Sequence, residues 1–159
     1  ALKDPCDYDA RATLMWASSL SHNGLTGCGR SRYFPAHKLE HDFSGLDERI
    51  SHGAGLAVLF PAWAKYVYKY DVPRFAQFAV RVMGCQMDFV DPARTALEGI
   101  EKLIAFFRSL GMPTTLPELG VDPADYEKVI ALTTRNGNRL KGYVELGPEE
   151  IREIYALAE

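Results

Sequence analysis

An all-α fold of roughly seven helices is expected from this sequence, on three grounds. Apolar residues recur at helical spacing through most of the chain. Capping residues, prolines and glycines bound each of those runs. No alternating strand pattern of useful length occurs.

The first helix is expected in CDYDARATLMWASSLSHNG, with Asp7 as its N-cap and Asn23-Gly24 as its stop. Leu14, Met15, Ala17, Ser18 and Leu20 give it a broad small-and-apolar face. His22 sits in its last turn, where the helix dipole favours a cation. PAHKLEHDFSGL opens on Pro35, a residue suited to a first helical turn. HGAGLAVLFPAWAKYVYKY is apolar nearly all round, the signature of a buried helix, and Pro61 should kink it. VPRFAQFAVRVMG repeats Phe75, Phe78, Ala79 and Val82 along one face. DPARTALEGIEKLIAFFRSLGMP is capped by Asp91, starts on Pro92 and carries the stripe Leu97, Ile100, Ile104, Phe107 before Gly111 and Pro113 end it. Asp122-Pro123 starts another helix, to about Thr133, and Pro148 starts the last, to about Ala158. That last helix, GPEEIREIYALAE, reads as a surface helix with a charged wet face. The polar, glycine-rich TRNGNRLKGYVEL has room only for a short extended piece.

With 159 residues the chain is long enough for one domain with a core. A net charge of -3 and a pI near 5.8 leave no basic footprint for nucleic acid. No apolar run approaches the ~20 residues of a bilayer span, and the start has no signal-peptide pattern. Cys6, Cys28 and Cys85 form no CxxC pair, so the expectation is a cytoplasmic protein with reduced thiols. The aromatic residues Tyr66, Tyr68, Tyr70, Phe75 and Phe78 are expected in the core and at helix contacts. GLTGCGR lacks the preceding strand and following lysine-serine pair of a phosphate loop, and reads as a tight helix connection. A reactive role for Cys28 would rest on Arg30 alone.

Chemistry concentrates in HKLEHDFSGLDERISHG, which holds three of the four histidines. His37 and His41 are four residues apart and share a helix face. His52 lies at the start of the next helix, so two helix ends can bring up to three imidazoles around a divalent cation. Glu40, next to His41, is expected to face another way, and Asp42 and Asp47 are possible carboxylate partners. On spacing alone, three helix-surface histidines that happen to lie close together are the favoured reading over a site.

AHKLEHDFSGLDERISHGAGLAVLFPAW resembles the signature region of the iron-containing, group III alcohol dehydrogenases, most of all their butanol-dehydrogenase branch. DYDARATLMWASSLSHNGLTGCGR and TRNGNRLKGYVELGPEEIREIYALA resemble the flanking regions, so the resemblance covers essentially the whole chain. It implies the helical, metal-holding portion of an enzyme whose amino-terminal nucleotide-binding domain is absent from these residues. It implies His37 and His52 as metal ligands and His41 as the non-ligating histidine beside the nicotinamide, acting in catalysis and cofactor binding. The family's other ligands, an aspartate and a histidine in a D-x-x-x-H pattern, do not occur before His37. His37 and His52 are fifteen apart, one more than the spacing the resemblance implies, and the extra residue is placed in LDERIS.

The implied activity is interconversion of primary alcohols and aldehydes, with iron(II) or zinc as metal and NAD or NADP as hydride carrier. Small alcohols or aldehydes are the expected substrates. Cys28 and Phe34 are candidates for the substrate pocket, and Thr134 and Asn138 are weaker ones. His41 can serve as proton relay, because histidine ordinarily changes charge near neutral pH, or it can simply pack beside the ring. Alone, the 159 residues are expected to be inactive and to form a homo-oligomer, with Leu56, Ala57, Leu59 and Phe60 in need of cover. The competing reading is a non-catalytic helical module that binds a metal or a partner.

Overall fold

The computed structural model describes residues 1–29, 31–135 and 137–159; Arg30, on which a reactive role for Cys28 would rest, lies outside the described residues. The chain forms two compact units, Ala1–Tyr33 and Phe34–Glu159. Among the described residues its regular secondary structure is helical, apart from an isolated antiparallel bridge between Leu140 and Leu146. That bridge is the short extended piece expected in the late loop.

The first unit is helix α1, Tyr8–His22, with a 3-10 turn at Leu25–Gly27. Asp7 caps α1 by accepting the Ala10 N–H at 3.0 Å, and the helix stops at Asn23, followed by Gly24 at φ 97°. A left-handed residue there is what glycine supplies without a steric penalty. None of α1 is buried: Leu14, Met15 and Trp16 are all exposed.

The second unit is built around α3, His52–Val67, whose residues from Ala57 to Val67 are nearly all buried. The helix runs on through Pro61, at the cost of the one backbone bond that proline cannot make. Against it pack α2 (Pro35–Leu46), α5 (Pro92–Ser109), the short α6 (Leu116–Leu119) and α8 (Pro148–Ala156). Helix α4 (Val72–Arg81) lies on α5, and α7 (Tyr126–Thr133) joins α2 to α8. Leu39, Phe43, Val58, Leu59, Ile100, Ile151 and Ile154 are essentially removed from solvent. Each such side chain contributes roughly 1.5–3 kcal/mol of burial free energy.

Several local features match their sequence signals. Asp91 accepts the Ala93 N–H at 3.2 Å and Pro92 occupies the first turn of α5. Asp122 caps a 3-10 turn that leads into α7. The charged face of α8 is wet, with Arg152 donating to Glu127 and Glu149 at 2.6 Å each. Its other face, Ile151, Ile154 and Tyr155, belongs to the core. There Tyr155 meets Phe43 of α2 and Tyr126 of α7 at ring distances of 5.2 and 5.5 Å, and burial pushes its phenol pKa well up.

Other expectations are corrected. Val82 lies at the end of α4 and is exposed, as is Tyr70, because the chain turns away from the core at both points. On α5 the buried stripe is Ala96, Gly99, Ile100 and Ile104; Leu97 and Phe107 flank it. Ala57 and Leu59 need no cover from outside, since α2, α5 and α8 already supply it, while Phe60 stays 37% exposed. An eighth helix, α6, is added to the roughly seven expected.

Candidate metal centre

Helix α2 turns Ala36, Leu39, Glu40 and Phe43 into the core. That is an i, i+3, i+4, i+7 face, and it fixes the rotation of the helix. His37 and His41 therefore stand together beside the buried face, with ring centres 6.2 Å apart. The chain leaves α2 at Leu46 and returns at His52, the first residue of α3. The return is held by Asp47, which accepts the Arg49 backbone N–H at 3.0 Å and grips its guanidinium at 2.7 and 2.9 Å. The Arg49 hydrogen bonds hold the Asp47 carboxyl at a pKa of about 2. Ile50 closes the turn from inside, buried and bonded through its N–H to Asp47 O at 3.0 Å.

This turn brings the ring of His52 to 5.2 Å from that of His37 and 5.0 Å from that of His41. Two imidazoles on one tetrahedral ion, with bonds near 2.0–2.1 Å, put their ring centres roughly 5 Å apart. The His52–His37 and His52–His41 pairs have that spacing, and imidazole nitrogen is a donor that a borderline divalent ion accepts. The donor atoms of Glu40, His41 and His52 all lie within 4.8 Å of one another. Phe34 stacks edge-on against His37 at 5.2 Å, so this pocket candidate does reach the cluster. Cys28 belongs to the amino-terminal unit, where its thiol is exposed and directed at Gly24 O, 3.7 Å away.

Glu40 overturns its expectation. It does not face elsewhere: its side chain is completely buried and its carboxylate Oε2 accepts a hydrogen bond from Nδ1 of His52. It occupies the inward i+4 position of the α2 face, and Gly55 of α3 leaves it room. The sequence signal passed over was a charged residue inside an otherwise apolar periodic face. Asp42 and Asp47, by contrast, are engaged elsewhere: Asp42 accepts the Thr133 hydroxyl at 2.6 Å and Asp47 holds Arg49. The Asp42–Thr133 bond ties α2 to α7 and so steadies the helix that carries two of the imidazoles. Thr134 is buried and donates its hydroxyl to Ile130 O at 2.8 Å; Asn138 is exposed in the late loop.

An apolar hollow of about 260 Å³, lined by Phe60, Trp63, Phe75, Phe78 and Tyr143 among others, begins eight residues along α3 from His52. At 1.5 Å per residue that is roughly 12 Å along the helix axis from His52. Among the described residues no helix is long and apolar enough to cross a membrane.

Known proteins resemble this chain in sequence and fold. NADH-dependent butanol dehydrogenase A of Clostridium acetobutylicum is 35% identical over 157 residues, 98% of this chain and 40% of that protein. The Escherichia coli NADPH-dependent aldehyde reductase YqhD is 32% identical over 144 residues, 86% of this chain and 35% of that protein. The crystal structure of NADH-dependent butanol dehydrogenase A from Thermotoga maritima superposes with a TM-score of 0.90 at 33% identity, covering 98% of this chain and 40% of that one. The chain thus spans less than half the length of these relatives. The sequence profile described as Fe-containing alcohol dehydrogenase family, C-terminal, matches residues 1–158, and the chain belongs to that family.

Proposed function

We propose that these residues form the metal-holding part of an NAD(P)-linked dehydrogenase that interconverts primary alcohols, butanol-like in size, with their aldehydes. His37 and His52 hold the divalent ion, iron(II) or zinc in its place, and His41 lies on the nicotinamide side. The observation that carries the reading is the convergence of the three imidazoles from α2 and α3, with ring centres 5.0–6.2 Å apart. Membership of a family of Fe-containing alcohol dehydrogenases supports the same assignment. Its relatives include both an NADH-dependent and an NADPH-dependent enzyme, which supports a nicotinamide nucleotide as the hydride carrier.

When bound, the divalent ion supplies a Lewis acid for the substrate oxygen, and the nicotinamide supplies the hydride chemistry. What this chain contributes is placement. Helix α2 is locked by Leu39, Phe43 and the Asp42–Thr133 bond, and α3 by the burial of most of its residues from Ala57 to Val67. The imidazoles are therefore held on rigid elements, which is what a site needs to keep its geometry. His41 is exposed beside the His52–Glu40 pair, so its ring nitrogen can take up or release a proton to water during turnover. Phe34 packs against His37 with ring centres 5.2 Å apart, which restricts where that ring can turn.

The test is substitution in the full-length protein. His37→Ala and His52→Ala should each abolish bound metal, by elemental analysis, and turnover with it. His41→Ala should keep the metal and lose rate or shift the pH profile. Normal metal content in both of the first two variants, or loss of metal in the third, would show that the ligand set is wrongly assigned.

A further inference from the structure

The oddest residue near the imidazoles is a carboxylate in the core. Glu40 is completely buried, its Oε2 is bonded to His52 Nδ1, and its Oε1 has no hydrogen-bond partner among the described residues. Burying a carboxylate costs several kcal/mol unless it is paired and its oxygens are satisfied, and here half of it is not. An apolar side chain of the same volume would serve stability better. The slot is also built for it. A Cβ at Gly55 would lie 2.5 Å from Glu40 Cγ and 2.9 Å from its Oε1, so no residue larger than glycine fits without displacing the carboxylate. Two helices thus give up packing quality to keep an acid against one face of one imidazole.

A hydrogen bond at Nδ1 has a defined consequence for the rest of the ring. A carboxylate can only accept, so Nδ1 must carry the proton, and in the neutral imidazole the lone pair is then on Nε2. His52 is half-exposed, with its ring at the imidazole cluster. Metal-binding histidines commonly have their second nitrogen held in this way.

We propose that Glu40, seated against Gly55, is the positioning residue of the metal centre: it fixes the tautomer and orientation of His52 and presents Nε2 to the ion. The inference rests on the assignment of His52 as a ligand. Glu40 does not touch the ion itself; it acts through His52.

The variant that separates positioning from packing is Glu40→Met, which fills the slot, removes the acceptor and relieves the buried charge. In the metal-free full-length protein, nitrogen-15 NMR of the histidine rings should find His52 as the Nδ1–H tautomer, and Glu40→Met should shift it toward Nε2–H. Affinity for added Co²⁺, followed by its visible absorption, should fall about 10- to 100-fold. The urea midpoint of the same variant should not fall. Glu40→Gln, which keeps the shape and an acceptor oxygen, should recover part of the affinity. An Nε2–H tautomer in the unaltered protein, or Co²⁺ affinity within twofold of it in Glu40→Met, overturns the inference. His52→Ala separates the two levels of the argument. If it abolishes Co²⁺ binding while Glu40→Met does not weaken it, the positioning role alone fails. If it leaves Co²⁺ binding intact, the ligand assignment fails and takes the positioning role with it.

Discussion

Replacing Gly99 by alanine tests how closely α4 and α5 are packed. A Cβ at Gly99 would lie 2.7 Å from the Cα and 3.4 Å from the N of Ala79, and would run into its Cβ as well. Ala79 is fully buried and belongs to the backbone of α4, so no flexible side chain can swing aside. Two effects oppose each other. Alanine is better than glycine inside a helix by ~0.8–1 kcal/mol. Overpacking a tight contact typically costs ~1–3 kcal/mol, and a backbone neighbour belongs at the upper end. The net is a loss of about 2 kcal/mol, or about 4–8 °C in Tm for a domain of this size. Two further helical glycines calibrate the number. Gly45 in α2 has nothing within 4 Å of an added Cβ, so Gly45→Ala should gain up to ~1 kcal/mol. Gly55 meets only the Glu40 side chain, so Gly55→Ala should fall between the two. Urea unfolding followed by far-UV circular dichroism gives all three. A Gly99→Ala protein as stable as its parent, or the order Gly99 above Gly45, would refute the steric argument.

The remaining expectations concern charge and association. Glu150 is held below the usual carboxylate pKa first by its hydrogen bond with Arg139, 2.7 Å away, and also accepts the Gly147 N–H at 2.7 Å. A depressed folded-state pKa contributes stability that is present above the unfolded value and lost as pH falls through the folded one. The parent should therefore lead Glu150→Gln in urea midpoint at neutral pH, and that lead should shrink as pH falls below about 4; a lead independent of pH would dismiss the Arg139 pair as its source. Phe60 borders the apolar hollow on α3 and is partly exposed, so we expect the protein to self-associate there. Light scattering should show an oligomer that Phe60→Asp shifts toward the monomer, and a monomeric parent at high concentration would end that expectation.

What was legible in the sequence was mostly what local chemistry decides. Asp7, Asp91 and Asp122 cap where short polar side chains before apolar runs should cap, and Pro35, Pro92 and Pro148 sit in first turns. Helix α6 is too short to show a period, yet Thr115 and Glu118 carry a readable start signal: Thr115 Oγ1 accepts the Glu118 N–H at 3.2 Å. Exposure at Val82 and Tyr70 was not legible, because an apolar residue at helical spacing is buried only if a partner element reaches it. The cover over Ala57 and Leu59 was missed for the converse reason: it comes from α5 and α8, more than thirty residues away in sequence.

Glu40 shows why the site was only half legible. His37 and His41 could be placed together from the helical period alone, since both lie on one element. Whether Glu40 turned toward His52 depended on the rotation of α2 about its axis, and that rotation is set by Leu39 and Phe43 finding their places against α3 and α8. The hydrophobic face therefore decides the polar one. Leu39 and Glu40 are neighbours, and burying the first next to α3 carries the second inward with it. Once inward, the acid requires both a cavity and a donor, and α3 supplies them three residues apart as Gly55 and His52. The same packing that stabilises the helix pair also selects which nitrogen of His52 is left to face outward. In this hairpin the core and the candidate site are two sides of one contact.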